Sequence, residues 1–505
     1  MSGVYSAIKG VLSFQLFMLL TITITFIGTP IVLSLIDKES YGLWILISQA
    51  ISYFALFDFG LSLGMYKILT VNRTASNQEL SEILSTSFFS MLLIGIVLSL
   101  IGTAAIPLIQ HSLKIKKESL DVTYFLFISL LILNPLLLPF RQICSVFHAH
   151  QKQFLSNTLQ FIAFTLNMPL NILFLYLGFD LWAFVYSSCI VAVIIVCVNT
   201  YFFYTNYPSV SIKPSFYNRR WLPQMYRYGI FLFINYIAWL LVSSTDRLLI
   251  GSLISLTAVT VFSLSVRLPE VLLSLTFTIT DNFFPLMSEV GSTNDSEKFK
   301  TIHHKLMLFS VTFSTIIAWM IFLFDESFVY FWVGNNNFIG SDIIAIISIL
   351  FIIHTIRHVS TACLNSAGLV KGYSLVFLFE GILNLGLSIW LGKLYGVTGI
   401  MLGTICACLI TSGWYTPFLA KRYMKIGLRE YLLIPIIRPV FILSFIGIGI
   451  YYLLKYYQIE LIHSLVEWIG FLSLTLIVFI CASWFLILKN NFKEDIERIK
   501  TRLYK

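Results

Sequence analysis

Runs of about 20 apolar residues follow one another along almost the whole chain, each closed by a short polar or basic stretch, as expected of helices crossing a hydrocarbon layer about 30 Å thick. They fall near 11–36, 41–69, 84–110, 121–146, 154–178, 181–206, 226–253, 257–287, 302–323, 340–368, 371–393, 396–419, 430–455 and 462–489. The pattern predicts an all-α integral membrane protein with about fourteen transmembrane helices, because only helices satisfy their own backbone inside lipid. Basic residues collect in the segments 213–227, 298–305, 421–429 and 489–505, which places these segments and both termini in the cytoplasm. Lys114, Lys116 and Lys117 are the exception on the outer side. Residues 1–12 lack a small-residue cleavage site and lead into a run too long for a signal peptide, so the first span is expected to be retained.

The longest inner loop carries Pro208, Pro214 and Pro223 and separates the first six spans from the next six. Sliding the chain on itself by about 217 residues lays Leu166-Asn167-Met168-Pro169-Leu170-Asn171 over Leu383-Asn384-Leu385-Gly386-Leu387-Ser388. Nearly equal shifts bring Gly178 over Gly396 and Arg141 over Arg357. Two pseudo-symmetric, parallel six-helix lobes are expected, 1–206 and 226–424, joined by the cytoplasmic loop 207–225. Two added helices over 425–489 and a cytoplasmic tail, 490–505, lie outside the repeat.

Polar positions inside the spans form stripes. Asn235, Trp239, Ser243 and Asp246 recur at helical spacing, and so do Arg267, Glu270, Ser274, Thr278 and Asp281. An Arg or Asp at the centre of a membrane helix costs about 2.5–3.5 kcal/mol on insertion scales, so such residues face a protein interior or a wet cavity. Arg141, Arg247, Arg267 and Arg357 are therefore candidates to line a cavity between the lobes, with His354 and His358 on the same helix face as Arg357. A guanidinium fork matches two phosphate oxygens, and several together would fit a diphosphate. The plainer alternative is that Arg247 and Arg267 only neutralise Asp246 and Glu270. Asp58, Asp246, Glu270, Asp281 and Glu380 are the carboxylates able to take up a proton or a sodium ion, since a buried carboxyl holds its proton more tightly than one in water.

Composition narrows the chemistry. Charged residues are 11% of the 505, against about 25% in soluble domains. The net charge of +9 reports basic cytoplasmic loops and not a nucleic-acid partner. All seven cysteines lie in apolar runs without metal-ligand spacing. His148, His150 and Lys152 read as a solvated cluster, and Asn72-Arg73-Thr74 as a chance glycosylation acceptor on the inner side. No phosphate-binding glycine-lysine loop occurs, so no cofactor is expected and a proton or sodium gradient would drive any transport. Most aromatics read as packing and interface belts, with Trp44 and Trp239 the two beside polar seams. A membrane polymerase or acyltransferase would need a long outer loop for its catalytic residues; the longest expected here is 325–341.

Ser40-Tyr41-Gly42-Leu43-Trp44 followed by Phe57-Asp58-Phe59-Gly60-Leu61 resembles the second helix of bacterial polysaccharide flippases of the multidrug/oligosaccharidyl-lipid/polysaccharide exporter superfamily. Thr245 to Gly251, Phe284 to Glu289, Leu364 to Gly368 and Gly396 to Gly399 resemble motifs of the second lobe of the same family. The resemblance covers most of residues 1–424. It implies a V-shaped transporter in the bacterial inner membrane that moves undecaprenyl-diphosphate-linked oligosaccharide outward for O-antigen or capsule, with a basic cavity for the anionic head. It also implies membrane lipids, a polysaccharide polymerase and a chain-length regulator as partners. A cation-coupled drug exporter and a lipid II flippase of the same superfamily are the alternative readings.

Overall fold

The computed structural model describes residues 2–53, 58–71, 76–112, 137–140, 142–143, 145–147, 153–292, 296–457, 464–489 and 491. Every regular element among them is a helix. Among the described residues, nine stretches are long and apolar enough to cross a bilayer. By Cα proximity the chain forms two compact units, Met1–Thr260 and Val261–Lys505.

In the first unit, α1 (Ser2–Leu35) packs on α5 (Gln153–Tyr176), and α5 on α6 (Trp182–Asn206). The hydroxyls of Thr21, Thr25 and Thr29 each donate to the carbonyl four residues back, so the helix absorbs its own polar groups in an apolar setting. α2 (Lys38–Ser52) packs on α8 (Thr245–Leu253), and α3 (Leu61–Val71) on α7 (Trp221–Ser243). Glycines set the second contact: a Cβ on Gly64 would lie 1.8 Å from the Met225 carbonyl oxygen, so the backbones meet where no side chain fits. The span expected over 41–69 is two helices. Phe59 and Gly60 have φ of +49° and +82°, and Asp58 accepts the amides of Gly60 at 2.8 Å and Ser62 at 3.3 Å, capping α3.

The loop 207–220 is pinned to the start of α4 (Asn77–Ser112). The amides of Ser211, Lys213 and Asn218 donate to the hydroxyls of Ser81, Ser85 and Thr86 at 3.1, 3.1 and 2.9 Å. Glu82 accepts from Asn218 Nδ2, Arg220 Nη2 and Trp221 Nε1. The segment expected to join two lobes is thus a fastened strap within the first unit. Of the expected span 121–146, only its last residues lie within the described part, and Arg141, Lys114, Lys116, Lys117, His148, His150, Lys152 and residues 72–74 lie outside it.

After α9 (Leu256–Ser265), the second unit holds α10 (Arg267–Ser292), α11 (Ser296–Val333), α12 (Ser341–Ser366), α13 (Val370–Ile410) and α14 (Ser412–Met424). α15 (Leu428–Leu432) runs through a π turn at Leu433–Ile437, which contains Pro435, into α16 (Arg438–Tyr456); α17 (Leu465–Ser483) follows. At 38 residues, α11 is about 57 Å long at about 1.5 Å per residue, well over a hydrocarbon core. It absorbs the first part of the expected outer loop 325–341, which shrinks to a short turn whose Gly334 and Gly340 have φ of +85° and +118°.

α13 reverses at Gly396, whose φ of 62° and ψ of −139° are open only to glycine. Its arms close tightly: a Cβ on Gly399 would fall 2.0 Å from the Leu391 carbonyl oxygen, and one on Gly403 2.6 Å from the Ser388 nitrogen. The first-unit hairpin α5–α6 repeats this plan. Gly178 turns it with φ of +81°. Asn171 Nδ2 donates to Asn167 Oδ1 at 3.0 Å, as Ser388 Oγ donates to Asn384 Oδ1 at 2.9 Å. These are the positions that the sequence repeat superimposes, so the duplication extends to hydrogen bonding.

Gly403→Val should lower the thermal midpoint in detergent, at a cost of about 1–3 kcal/mol from overpacking. Gly386→Ala, with nothing within 4 Å of the added Cβ, should leave the midpoint unchanged or raise it. Equal behaviour of the two variants in a thermal melt would show that the arms are not closed in this register.

Candidate functional site

Helical spacing puts His354, Arg357 and His358 on neighbouring positions of α12. Arg357 Nη1 donates to Glu380 Oε1 of α13 at 2.9 Å and to Ser412 Oγ of α14 at 3.1 Å. Its guanidinium carbon lies 5.0 Å from the centre of the Phe377 ring, close enough for a cation–π contact. The pair is deeply placed, with side-chain exposures of 15% and 1%. One arginine therefore ties three consecutive helices together. Only Nη1 is used in these hydrogen bonds, so among the described residues Nη2 and Nε are uncommitted. Glu380 Oε2 is buried without a partner there.

On the same helix, His358 Nε2 lies 2.9 Å from Asp281 Oδ1 of α10, and its ring stacks on Phe277 at 4.0 Å. His354 Nδ1 is buried with no hydrogen-bond partner among the described residues. The structure thus assembles Asp281, His354, Arg357, His358 and Glu380 on three packed helices. Two of the expected coupling acids, Asp281 and Glu380, are partners of expected substrate cations. Ser412 and Phe377 escaped the sequence reading; the sign of Phe377 was its place one turn before Glu380 on the same helix.

The other expected residues are placed differently. Arg267 opens α10, partly buried, and Glu270 is exposed in its first turn. Ser274 and Thr278, each partly buried, donate to the backbone of α10 itself. In the first unit, the seam through Asn235 and Trp239 stops at Ser243, where α7 ends; Asp246 begins the next helix. Asp246 is buried in the first turn of α8, where the amide dipoles favour an acid. Beside it, Thr245 Oγ1 is 2.9 Å from the Tyr53 hydroxyl. Arg247 follows, partly buried. Trp239 is 57% exposed and stacks on Tyr236. Trp44 stacks on Phe184 at 4.7 Å and serves packing. No group of three or more His, Cys, Asp or Glu among the described residues could hold a metal ion.

A family model described as polysaccharide biosynthesis protein matches residues 7–290, more than half of the 505. The chain belongs to the polysaccharide biosynthesis protein family. Among curated relatives of this family member, a putative O-antigen export protein of Yersinia pseudotuberculosis is 21% identical over 419 residues, 79% of this chain and 92% of that protein. The uncharacterized membrane protein EpsK of Bacillus subtilis is 23% identical over 422 residues, covering 80% of this chain and 81% of its own. Among solved structures, the lipid II flippase MurJ in an inward closed conformation aligns with TM-score 0.65 at 13% identity, over 96% of this chain and 99% of that one. A multidrug resistance MATE family transporter of the MOP superfamily, in an inward-facing conformation, aligns with TM-score 0.59 at 14% identity, over 80% and 95%. The chain thus shares the multi-pass helical fold of these solved structures.

Because Glu380 is 1% exposed, Arg357→Ala should destabilise the protein by about 3–5 kcal/mol, the usual cost of orphaning one member of a buried pair. The double variant Arg357→Met, Glu380→Leu should recover most of that stability. A thermal-shift cycle checks this; a double variant no more stable than Arg357→Ala would show that the pair is not what makes the arginine matter to the fold.

Proposed function

We propose that this family member is a flippase carrying undecaprenyl-diphosphate-linked oligosaccharide repeat units from the cytoplasmic to the outer leaflet of the bacterial inner membrane, for O-antigen or capsule synthesis. Both termini would be cytoplasmic, and a polymerase and chain-length regulator would take up the product outside. The observation that carries the reading is Arg357, a guanidinium held in membrane helices of a member of the polysaccharide biosynthesis protein family, with two of its nitrogens uncommitted among the described residues. Diphosphate is the part of the cargo such a fork recognises.

Glu380 gives the arginine a second state. While ionised, the carboxylate holds Nη1; on protonation it releases the guanidinium, which a phosphate can then engage. Cargo and proton would thereby exchange at one residue, coupling transport to the proton gradient by differential affinity. Arg247, with Asp246 beside it, is proposed as the corresponding cation of the first unit. The MurJ alignment extends over almost the whole chain, so lipid II, which shares the diphosphate, is the competing cargo.

In proteoliposomes loaded with undecaprenyl-diphosphate-linked sugar, Arg357→Ala and Arg247→Ala should abolish translocation. Arg357→Lys should restore only part of it, roughly a tenth, because an ammonium lacks the two-pronged fork. Full translocation by both alanine variants would rule the reading out. Collapsing the proton gradient should slow the native protein; an unchanged rate would remove Glu380 from coupling. Preference for lipid II in the same assay would move the cargo to that class.

A further inference from the structure

Asp325 sits in α11 eight residues before its end at Val333. Ile321 and Val329, one turn to either side, are 2% and 0% exposed, so the residue occupies a core position on the buried stripe of its helix. It is itself 1% exposed, and both carboxyl oxygens are buried without a hydrogen-bond partner among the described residues. α10, α12, α16 and α17 pack on α11. The charged groups they carry towards that end are Arg267 and Glu270, Asp342, Lys455 and Glu467, and none of them hydrogen-bonds to Asp325. An ionised carboxylate in such a place would meet no donor or counter-ion among the described residues, and a charge buried in that way is shed by binding a proton. Its neighbours along the stripe, Ala318, Ile321 and Val329, are apolar, so packing at this position does not require an acid, and its presence calls for a task.

We propose that Asp325 is a proton-binding site of the second unit, carrying its proton in this conformation and losing it only when the C-terminal half of α11 parts from α10 and α12. On release the carboxyl O–H bond breaks, the proton passes to water and the electron pair stays as a carboxylate, which cannot return to the closed core until a proton is rebound. Protonation and closure of α11 are then two descriptions of one equilibrium. This site is separate from the Arg357–Glu380 pair, although its role as a coupling acid rests on the transport reading above.

The test has two arms on the full-length protein. In nanodiscs at neutral pH, dicyclohexylcarbodiimide, which reacts with protonated carboxyls in apolar surroundings, should form a stable adduct on Asp325. Peptide mass spectrometry should find it at least tenfold above that on Glu270, and Asp325→Asn should remove it. In proteoliposomes carrying undecaprenyl-diphosphate-linked N-acetylglucosamine, Asp325→Asn, a mimic of the neutral acid, should still exchange cargo downhill but should no longer accelerate under an imposed pH gradient. Asp325→Glu should regain part of that response. Failure of Asp325 to label overturns the proposal, and so does an Asp325→Asn protein that follows the pH gradient like the native one. A native protein that labels at Asp325 yet moves no cargo would contradict the flippase reading and leave the proton site standing.

Discussion

A guanidinium kept inside membrane helices needs an acid, a hydroxyl and a ring around it, and much of the second unit is arranged to supply them. Arg357 finds Glu380, Ser412 and Phe377 on two further helices, so its neutralisation and the packing of α12, α13 and α14 are the same event. The cost of leaving either partner alone in a low-dielectric interior keeps these helices in register. His358 extends the arrangement to α10 through Asp281 and Phe277. The acids that could have been independent ion sites are thus attached to the cations that could have been independent phosphate sites.

Close helix approach is the second constraint, and it is met with glycine and small polar residues. Gly396 turns one hairpin and Gly178 another, while the pairs Asn167–Asn171 and Asn384–Ser388 bond internally at corresponding positions. Hydroxyls along α1 return to their own helix. Interhelical order in both units therefore draws on shape and on polar groups that bond within their own helix or hairpin.

Much of this was legible in the chain. Helix type and approximate span positions followed from long apolar runs, and the repeat that lays Asn167 over Asn384 pointed to the two hairpins. Helix interruptions were not legible, since hydropathy averages over them: the apolar run 41–69 hides the turn at Phe59 and Gly60, which only the aspartate cap at Asp58 betrays. Asp325 and Glu326 suggested a loop because they are charged, yet α11 continues through them and buries Asp325 on its core stripe. Tertiary partnership was the least accessible level. Nothing local distinguishes Glu380, an acid of an arginine, from Glu270, an exposed acid at a helix start, because the difference is made by residues on other helices.

Arg357 is placed at once as a keystone of packing and as the group that meets a phosphate, and the two roles separate in a binding measurement that needs no transport. Titrating the purified protein with farnesyl diphosphate, a soluble short-chain analogue of the lipid head, should give saturable heat in the native protein and roughly tenfold weaker binding in Arg357→Lys, at equal thermal stability. Equal affinity in the two would contradict a phosphate-binding arginine and leave Arg357 with a structural role alone.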